Sequence, residues 1–291
     1  DLPEEERIPL IEKFRKMYET MDFYVLYNRF LKKEGYQTLP RRPLEKRKLR
    51  YEDVYPILYL KYRLSRQAER SNIKHLVIDE MQDYSLLQYL IIRRMFSCKM
   101  TILGDRAQTM ADQQQDVLQF LPGIFGKDLR RIEMRKSYRN TVEIASYAAN
   151  LIGVTDLELF ERHGMPVLER DVTDLEAALR EAVDTLLPDE KTYETAAVIV
   201  PDEKTAERAY LILRGILAEK DFDCGKRLSW LNRDSSSFKK GLTVTTFYLA
   251  KGLEFDQVFS IFPKDEKREI MMQAQYIAAT RALHELRVYH I

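Results

Sequence analysis

The sequence is poor in the residues that build zinc sites and disulfide frameworks. Its 291 residues include two cysteines and four histidines, and these are scattered along the chain. Because zinc sites need several such residues in close pairs, a zinc protein is unlikely on sequence grounds alone. The two distant cysteines, Cys98 and Cys224, favour a reducing compartment, and we expect a cytoplasmic protein.

Long apolar runs and a strong net charge are also missing. No run of about 18 apolar residues exists, so no membrane-spanning helix is predicted, and no signal peptide is visible. The net charge of +1 gives no overall attraction to nucleic acid or to an anionic membrane. Any basic binding surface must therefore be local. Residues 41–50 are the one basic stretch, and they form either a solvated loop or a contact with nucleic acid or an acidic partner.

The ten glycines include no phosphate-binding loop of the pattern G-x-x-x-x-G-K-[ST]. Gly126-Lys127 and Gly225-Lys226 lack both the spacing and the following hydroxyl residue. Such a loop supplies the backbone N–H groups and the lysine that hold a triphosphate. We therefore expect this chain by itself to bind Mg²⁺-ATP weakly and to hydrolyse none.

What the sequence does contain is an alternation of apolar runs and helical patterns. Helical spacing dominates residues 1–70, and from Asn72 onward strands and helices alternate, which is typical of parallel sheets with helices on both faces. The predicted strands are residues 75–79, 100–103, 129–134, 196–200, 242–247, 258–262 and 285–289. The predicted helices include residues 51–65, 86–96, 116–121, 141–152, 174–187, 203–218 and 268–282.

Three local details follow from the same patterns. Phe23, Leu26 and Phe30 recur at helical spacing and are predicted to share an apolar face. Pro122-Gly123 is predicted to form a turn. Ser137 is predicted to cap the helix of residues 141–152.

Two adjacent carboxylates, Asp79 and Glu80, follow the first predicted strand, which we expect to be buried. The next predicted strand ends in Gly104-Asp105. Ligands of parallel α/β sheets bind at the carboxyl ends of the strands, so these residues are expected at one sheet edge. Mg²⁺ takes a carboxylate plus waters, and a second carboxylate can orient or deprotonate an attacking water. The alternative is a strand followed by an acidic turn.

Five short motifs occur in the order found in superfamily 1 helicases of the UvrD/Rep type. Residues 77–83 resemble the Walker B motif "DExQD", and residues 103–108 resemble "GDxxQ". The other three are residues 137–140, 250–256 and 275–282, which resemble "NYRS", "KGLEFD" and "YVAxTRA". The resemblance covers residues 74–291 and implies RecA-like parallel sheets with flanking helices, the fold of P-loop NTPases.

The resemblance also implies a domain organisation. Residues 1–71 would be a helical segment at the end of an insertion in the first motor domain. Residues 72–127 would be the second half of that RecA-like domain, which is incomplete because the phosphate loop of this family precedes the Walker B motif. Residues 128–291 would be the second RecA-like domain.

ATP and Mg²⁺ are the ligands that the resemblance implies. Asp79 would hold Mg²⁺ through water, and Glu80 would orient the hydrolytic water. Gln108 would sense the γ-phosphate. Arg139 and Arg281 would reach that phosphate from the second domain, where arginines neutralise the charge of the transferring group.

The remaining implied roles concern the nucleoside. Tyr138 would stack on adenine, although a core position is the alternative for a tyrosine. Glu254 would bond the ribose, and Gly252 would let the backbone approach closely.

Departures from the family pattern indicate which branch of the family the chain resembles. After Gln108 the chain has Thr109-Met110-Ala111, where related DNA helicases carry aromatic residues on which bases stack. Tyr248 stands in the place of a usual histidine, and the run of residues 248–256 resembles the HelD branch most closely. HelD proteins are ATPases that bind RNA polymerase. The expected partners are thus nucleic acid, with DNA favoured, and RNA polymerase, but no membrane. The alternatives are a UvrD-type DNA-repair helicase and a truncated binding module that hydrolyses nothing.

Overall fold

The computed structural model describes most of the chain and divides it into two compact units. The described residues are 3–16, 20–64, 70, 72–105, 108, 117–126, 129–134, 136–155, 158–189, 193–220, 223–235, 240–264 and 269–291. The first unit comprises residues 1–105 and 111–130, and the second comprises residues 106–110 and 131–291. The assignment of residues 1–71, 72–127 and 128–291 to an insertion and two RecA-like domains stays a prediction.

The first unit is mainly helical and contains one parallel pair of strands. β1 and β2 pair in register from His75 opposite Lys99 to Ile78 opposite Ile102. The elements are α1 (Glu4–Lys16), α2 (Phe23–Lys33), α3 (Tyr51–Leu64), β1 (His75–Ile78), α4 (Leu86–Met95), β2 (Lys99–Ile102) and α5 (Val117–Phe125). The strand–helix–strand unit β1–α4–β2 matches its sequence prediction closely.

The buried face of α2 differs from the predicted one. Tyr24, Tyr27 and Leu31 are buried, whereas Phe30 is 51% exposed. The tyrosines can be buried because their hydroxyls are satisfied: Tyr24 donates to Pro40 O at 2.6 Å, and Tyr27 donates to the buried carboxylate of Asp53 at 3.0 Å. The helical spacing of Phe23, Leu26 and Phe30 thus indicated the helix correctly but not the face that the core buries.

Packing also overrides the turn predicted at Pro122-Gly123. The helix α5 runs through both residues to Phe125. Its Phe125 ring lies 6.4 Å from the ring of Tyr89, which is fully buried in α4. This contact keeps the last turn of α5 on the core despite the helix-breaking pair. The start of α4 is as regular as its sequence suggests, with a capping box formed by Ser85 and Gln88.

The second unit is built on a six-stranded, wholly parallel sheet. Its strand order is β5-β10-β9-β6-β8-β7, and a separate two-stranded parallel sheet pairs β3 with β4. The strands are β3 (Lys136–Ser137), β4 (Glu158–Leu159), β5 (Leu168–Asp171), β6 (Thr195–Val200), β7 (Leu228–Trp230), β8 (Gly241–Thr246), β9 (Phe255–Phe262) and β10 (Ala282–His290). The helices are α6 (Val142–Ile152), α7 (Leu175–Asp189), α8 (Glu203–Ala218), α9 (Cys224–Arg227) and α10 (Glu269–Ala279).

Helices cover both faces of this sheet. Val198 and Val200 of β6 point into a core shared with α7 and α8, while Ala197 and Ile199 point into a second core shared with α6 and α10. All four side chains are fully buried. The predicted α/β fold, with parallel strands flanked by helices, is confirmed. None of the helices in the described part of the chain is both long and apolar enough to span a membrane.

Three predictions of element boundaries between residue 129 and the end of the chain were wrong. Residues 129–134 form no strand, and Ile132 and Met134 are more than four-fifths exposed because no partner strand buries them. Ser137 lies in β3, and the N-cap of α6 is Thr141, whose Oγ1 accepts from Ile144 N. The last helix ends at Ala279, since Ala282 already pairs with Phe255 of the sheet.

Candidate functional site

In the first unit, the carboxyl ends of β1 and β2 are tied together by backbone hydrogen bonds. Leu103 N donates to Ile78 O, and Met81 N donates to Leu103 O, each at 2.8 Å. Asp79 and Glu80 follow β1 directly at this edge. Asp79 is exposed and Glu80 is half-buried, so both carboxylates can meet a ligand from solvent.

Glu80 has an unusual backbone conformation. Its φ of 51° and ψ of 50° place it in the left-handed region, and it is the one non-glycine residue with positive φ in the part of the chain that the structure describes. Such a conformation costs about 1 kcal/mol or more, and residues held in it cluster at functional sites. The Glu80 N–H donates to Asp79 Oδ1 at 2.8 Å, so the backbone of Glu80 helps to orient the carboxylate of Asp79.

Gln82 holds the side chain of Glu80. Its amide Nε2 donates to Glu80 Oε2 at 2.5 Å, and its Oε1 accepts from Asp105 N at 3.1 Å. Gln82 is only 7% exposed, so these two bonds satisfy a buried amide. The sequence reading missed this residue, although it lies inside the motif of residues 77–83.

Gly104 allows this close packing. A Cβ at this position would lie 2.5 Å from Gln82 Oε1 and 2.7 Å from Met81 N, which is closer than real Cβ atoms come. The glycine of the "GD" pair is therefore required by the approach of the two strand ends, and it serves the position of Gln82.

The acidic end suits a magnesium ion that keeps most of its water. Asp79 is exposed, and one of its oxygens accepts the Glu80 N–H. Among the described residues, no group of three or more His, Cys, Asp or Glu side chains could enclose a metal ion. Mg²⁺ is usually held by one or two carboxylates plus waters, so the residues present fit that ion and not a dehydrated cage.

In the second unit, the predicted site residues lie near the amino-terminal ends of strands, whereas in the first unit they lie at the carboxyl ends. They lie where β9 and β10 begin: Phe255 N donates to Arg281 O at 2.9 Å. Asn140 is buried and donates to Thr280 O at 3.2 Å and to Ala282 O at 2.6 Å. These bonds join the segment after β3 to the start of β10, so the motifs of residues 137–140, 250–256 and 275–282 meet.

Arg139 and Glu254, both predicted to contact the nucleotide, contact each other. Arg139 Nε lies 2.6 Å from Glu254 Oε1, and both side chains are almost half exposed. An exposed pair of this kind contributes at most about 1 kcal/mol, so a phosphate or a ribose can replace either partner at low cost. Gly252, two residues away, has a φ of 76° and open space where a Cβ would be.

Arg281 is in a different environment, since only 1% of it is exposed. Its Nε donates to Ile277 O at 3.2 Å, and its Nη2 donates to Thr280 Oγ1 at 3.1 Å. Nη2 also lies 3.4 Å from Oε1 of Gln108, which is likewise buried and belongs to the second unit. The structure thus brings together Gln108, which was predicted to sense the γ-phosphate, and Arg281, one of the two arginines predicted to reach it.

Tyr138 is a surface residue and not a core tyrosine. It is 60% exposed, and its ring lies 5.5 Å from the ring of Phe160. Lys136 Nζ lies 5.6 Å from the centre of the Tyr138 ring. An exposed aromatic pair with a cation beside it is a surface on which a flat base can stack. Phe160 and Lys136 were not identified from the sequence, because neither lies in a motif.

Two further residues of this unit, Arg162 and Glu143, tie residues 162–164 to the segment of residues 139–143. Arg162 Nη2 donates to Arg139 O and to Leu283 O, each at 2.5 Å. Glu143, in the first turn of α6, accepts from His163 Nδ1 at 3.0 Å and from Gly164 N at 2.8 Å. These hydrogen bonds, that of His163 first, lower the pKa of the Glu143 carboxyl to about 2.

Comparisons with known proteins give one family match. Residues 4–110 match the model of the UvrD/REP helicase N-terminal domain. No curated protein matches the chain.

Several solved structures resemble the chain. The C-terminal domain of a possible DNA helicase from Lactobacillus plantarum WCFS1 is 24% identical, with a TM-score of 0.41, over 53% of this chain and 88% of that one. The helicase of PRRSV is 16% identical with a TM-score of 0.43, over 76% of this chain and 36% of that one. The arterivirus nonstructural protein 10 helicase, in complex with DNA, is 14% identical with a TM-score of 0.40, over 77% and 41%. This chain thus spans less than half the length of the two viral helicases.

The matched segment and the acidic site coincide. Asp79, Glu80, Gln82 and Gly104 all lie between residues 4 and 110. The part of the chain with the strained Glu80 is therefore the part that is similar to the UvrD/REP helicase N-terminal domain.

Proposed function

We propose that the chain is part of an ATP-dependent superfamily 1 motor of the UvrD/REP type that acts on nucleic acid. The observation that carries the proposal is the arrangement of Glu80. Its carboxylate is fixed by Gln82, next to the exposed Asp79, at the joined ends of two parallel strands. A carboxylate held in this way is suited to orient a water or take its proton, and its neighbour is suited to hold hydrated Mg²⁺.

Bound Mg²⁺ would neutralise phosphate charge. The residues of the chain would orient the attacking water and contact the phosphate, ribose and base. Glu80 would orient the attacking water, with Gln82 fixing the direction of its carboxylate. Arg139 would contact phosphate after leaving Glu254, and Glu254 would then be free to accept from a ribose hydroxyl. Tyr138 and Phe160 offer the exposed aromatic surface that an adenine needs.

Arg281 would act more indirectly than Arg139, since its guanidinium is already bound by Ile277 O and Thr280 Oγ1. Its contact with Gln108 supports a pair that responds together to phosphate charge.

The exposed face of β1 supports the proposal that the first motor domain contains more than the two strands seen in this chain. The sequence predicted a buried strand, but Val77 is 60% exposed. Parallel strands usually occur in sheets that are covered on both faces. Further strands of this sheet would bring crossover helices, and such helices would cover this face.

Within the family, we favour a HelD-like motor that acts on complexes of RNA polymerase with nucleic acid. The sequence of residues 248–256 supports this branch. The rival is a UvrD-type DNA-repair helicase. A strand-separation assay on the motor that contains this chain, beside a pull-down with RNA polymerase, separates the two. Binding of the polymerase without strand separation supports the HelD-like branch, and strand separation without polymerase binding supports the rival.

The chain itself provides the first test. Asp79 and Glu80 repel the phosphates, and the chain has no phosphate loop to counter them. We expect calorimetric titration with Mg²⁺-ATP to show weak binding at most, and a phosphate-release assay to show no turnover. The same chain joined to a phosphate loop within its motor should turn over ATP. Micromolar binding with turnover by this chain alone would contradict the proposed division of the site, and an inactive motor would favour a binding module.

A further inference from the structure

The basic stretch singled out in the sequence forms a loop that is fixed at both ends. We refer to residues 40–50, which follow the buried Leu39 and lead into α3, as the cationic loop. Between residues 41 and 50 it contains six cationic side chains and one carboxylate, although the whole chain carries a net charge of only +1. The loop is therefore a local concentration of positive charge on a nearly neutral protein.

Residues of α2 hold the start of the cationic loop. Asn28 accepts from Leu39 N at 2.7 Å through Oδ1 and donates to Leu39 O at 3.2 Å through Nδ2. Tyr24 donates its hydroxyl to Pro40 O at 2.6 Å. Since Tyr24, Leu31 and Leu39 share one buried cluster, the entry to the loop is part of the core of this region.

Two of the loop's own arginines hold its end. Arg47 makes a bidentate pair with Asp22, the N-cap of α2, at 2.9 and 2.6 Å, and its guanidinium lies 4.5 Å from the centre of the Tyr24 ring. The Arg47 hydrogen bond lowers the pKa of the Asp22 carboxyl. Arg50 pairs with the buried Asp53 at 2.9 Å.

Arg47 also closes the loop on itself. Its Nε donates to Arg42 O at 3.0 Å. The guanidinium thus binds the helix and the opposite side of the loop at once, in the planar fork geometry that lysine does not offer. Arg47 and Arg50, two of the six cationic residues, are thus paired with carboxylates and stabilise the loop.

The other four cations face solvent. Arg41, Arg42, Lys46 and Lys48 are exposed, and in the described part of the chain no side-chain hydrogen bond or ion pair engages them. The exposed Leu44 lies between the two pairs, and the exposed Tyr51 follows the loop. Their charge is therefore available to a partner, and the loop that carries them is already ordered.

We propose that the cationic loop binds the phosphate backbone of single-stranded nucleic acid. Four uncompensated cations within eight residues match a partner that repeats a negative charge at every unit of its chain. Ordering the loop beforehand reduces the conformational entropy lost on binding. The exposed Tyr51 adds an aromatic surface of the kind on which bases stack. This inference rests on the proposed function, for which it locates a contact with the nucleic acid.

The test measures binding of a fluorescent oligothymidylate to this chain by anisotropy, over a series of salt concentrations. In the test variant, Arg41→Gln, Arg42→Gln, Lys46→Gln and Lys48→Gln are combined. In the matched control, four exposed cations of α1 and α3 are changed in the same way, and they are Arg7, Lys13, Lys61 and Arg63. Both variants lose two arginines and two lysines, so their net charge is equal.

We expect the test variant to lose at least tenfold in affinity at low salt and the control to lose less than threefold. The slope of log K against log salt should become shallower by roughly 2 to 3 in the test variant, since each phosphate contact on a single strand contributes about 0.7. Polyglutamate of equal charge should displace the oligonucleotide at least tenfold less well than unlabelled oligothymidylate.

Three results would overturn the proposal. Equal losses in the two variants would show that only the total charge matters. Equal displacement by polyglutamate would identify the loop as a site for an acidic protein. Unchanged binding by the test variant would place the nucleic-acid contact elsewhere and leave the proposed motor intact, whereas a motor that binds nucleic acid in no assay would remove the proposed function itself.

Discussion

The acidic end of the first unit and the arginine end of the second unit reach their geometry by different means. In the first, a two-stranded sheet with an exposed Val77 carries carboxylates that are positioned by a strained backbone and by Gln82. In the second, a six-stranded sheet buried on both faces carries Arg281 inside the protein, and Arg139 lies on the surface after β3, in a segment that Asn140 ties to the start of β10. The first arrangement depends on a few polar contacts, and the second depends on the packing of a whole sheet.

The difference has a physical reason. A carboxylate that binds a hydrated ion has to stay near water, so burial cannot fix its position, and local hydrogen bonds must do so. An arginine has five donors and a long apolar stem, so it can be buried against backbone carbonyls and still keep its charge. We therefore expect mutations at the acidic end to affect chemistry, and mutations at the arginine end to affect stability as well.

The largest effect should come from Glu80→Gln in the motor that contains this chain. The change keeps the size of the side chain and removes its negative charge. ATP binding should persist, because Asp79 remains, and turnover should fall by about two decades or more, as losses of a general base usually do. Steady-state turnover and nucleotide binding measured on the same preparation check this. Near-normal turnover would show that Glu80 does not have its proposed role. The acidic end of the first unit would then differ from the arginine end of the second in structure only.

Arg281→Ala and Arg139→Ala compare a buried arginine with an exposed one in the same unit. Removing Arg281 deletes the hydrogen bonds of its guanidinium to Ile277 O and Thr280 Oγ1 and opens a cavity, so the free energy of unfolding of this chain should fall by about 2–4 kcal/mol. Removing Arg139 breaks only an exposed ion pair and should lower it by less than about 1 kcal/mol.

Denaturant unfolding of this chain measures both arginine variants. In the motor, each substitution should also impair hydrolysis more than nucleotide binding, since the arginines are proposed to serve charge that develops in the transition state. If Arg281→Ala altered stability alone, that arginine would be structural and the motor proposal would be weaker.

Two valines, one from a strand of each unit, sharpen the comparison further. Val198 of β6 is fully buried, whereas Val77 of β1 is 60% exposed. Val198→Ala should lower the free energy of unfolding by roughly 2 kcal/mol through lost burial and a new cavity, and Val77→Ala should lower it by less than about 0.5 kcal/mol. Similar losses at the two positions, measured by denaturant unfolding, would show that β1 is buried in solution.

The smallest expected effect is a pH dependence near the arginine end. The pKa of Glu143 is lowered in the folded state from 4.5 to about 2 by His163 and Gly164. A lowered pKa stabilises the fold above the unfolded value, and this stabilisation is lost as the pH falls from about 4.5 towards 2. His163 is largely exposed, so solvent screening reduces the effect to the order of 1 kcal/mol.

Glu143→Gln should remove that component of the stability. The unfolding free energies of the variant and the parent chain should differ most near neutral pH and converge near pH 2. A difference that stays constant between pH 7 and pH 3 would show that the pKa of Glu143 is not lowered.

In the second unit, the sequence predicted the central strands better than those at the edges. Strands β6 and β9 are apolar runs buried on both faces, so composition alone identifies them. Strand β5 reads Leu-Glu-Arg-Asp and lies at the edge of the sheet, where polar residues face water, so it gave no apolar signal. Residues 129–134 did give such a signal but have no partner strand, and a strand exists only when it is paired.

The candidate site shows the same limit. Asp79 and Glu80 could be identified because two carboxylates after a strand have a chemical meaning. The left-handed backbone of Glu80 and the role of Gln82 could not, since one is a feature of the folded backbone and the other involves Asp105 N, which is twenty-three residues from Gln82 in the sequence. The burial of Arg281 was missed for a related reason, as a charged residue is ordinarily expected at the surface.

The left-handed backbone of Glu80 would mislead a redesign of this protein that is based on stability alone. A procedure that optimises stability alone would replace Glu80 with glycine, which adopts this conformation freely and would relieve strain of about 1 kcal/mol. The redesigned protein would gain this relief at the expense of the hydrogen bond from Gln82 Nε2, and it would lack the carboxylate that is proposed to orient the water. Sequence libraries made from this scaffold should therefore hold position 80 fixed and treat a stabilising substitution there as a loss.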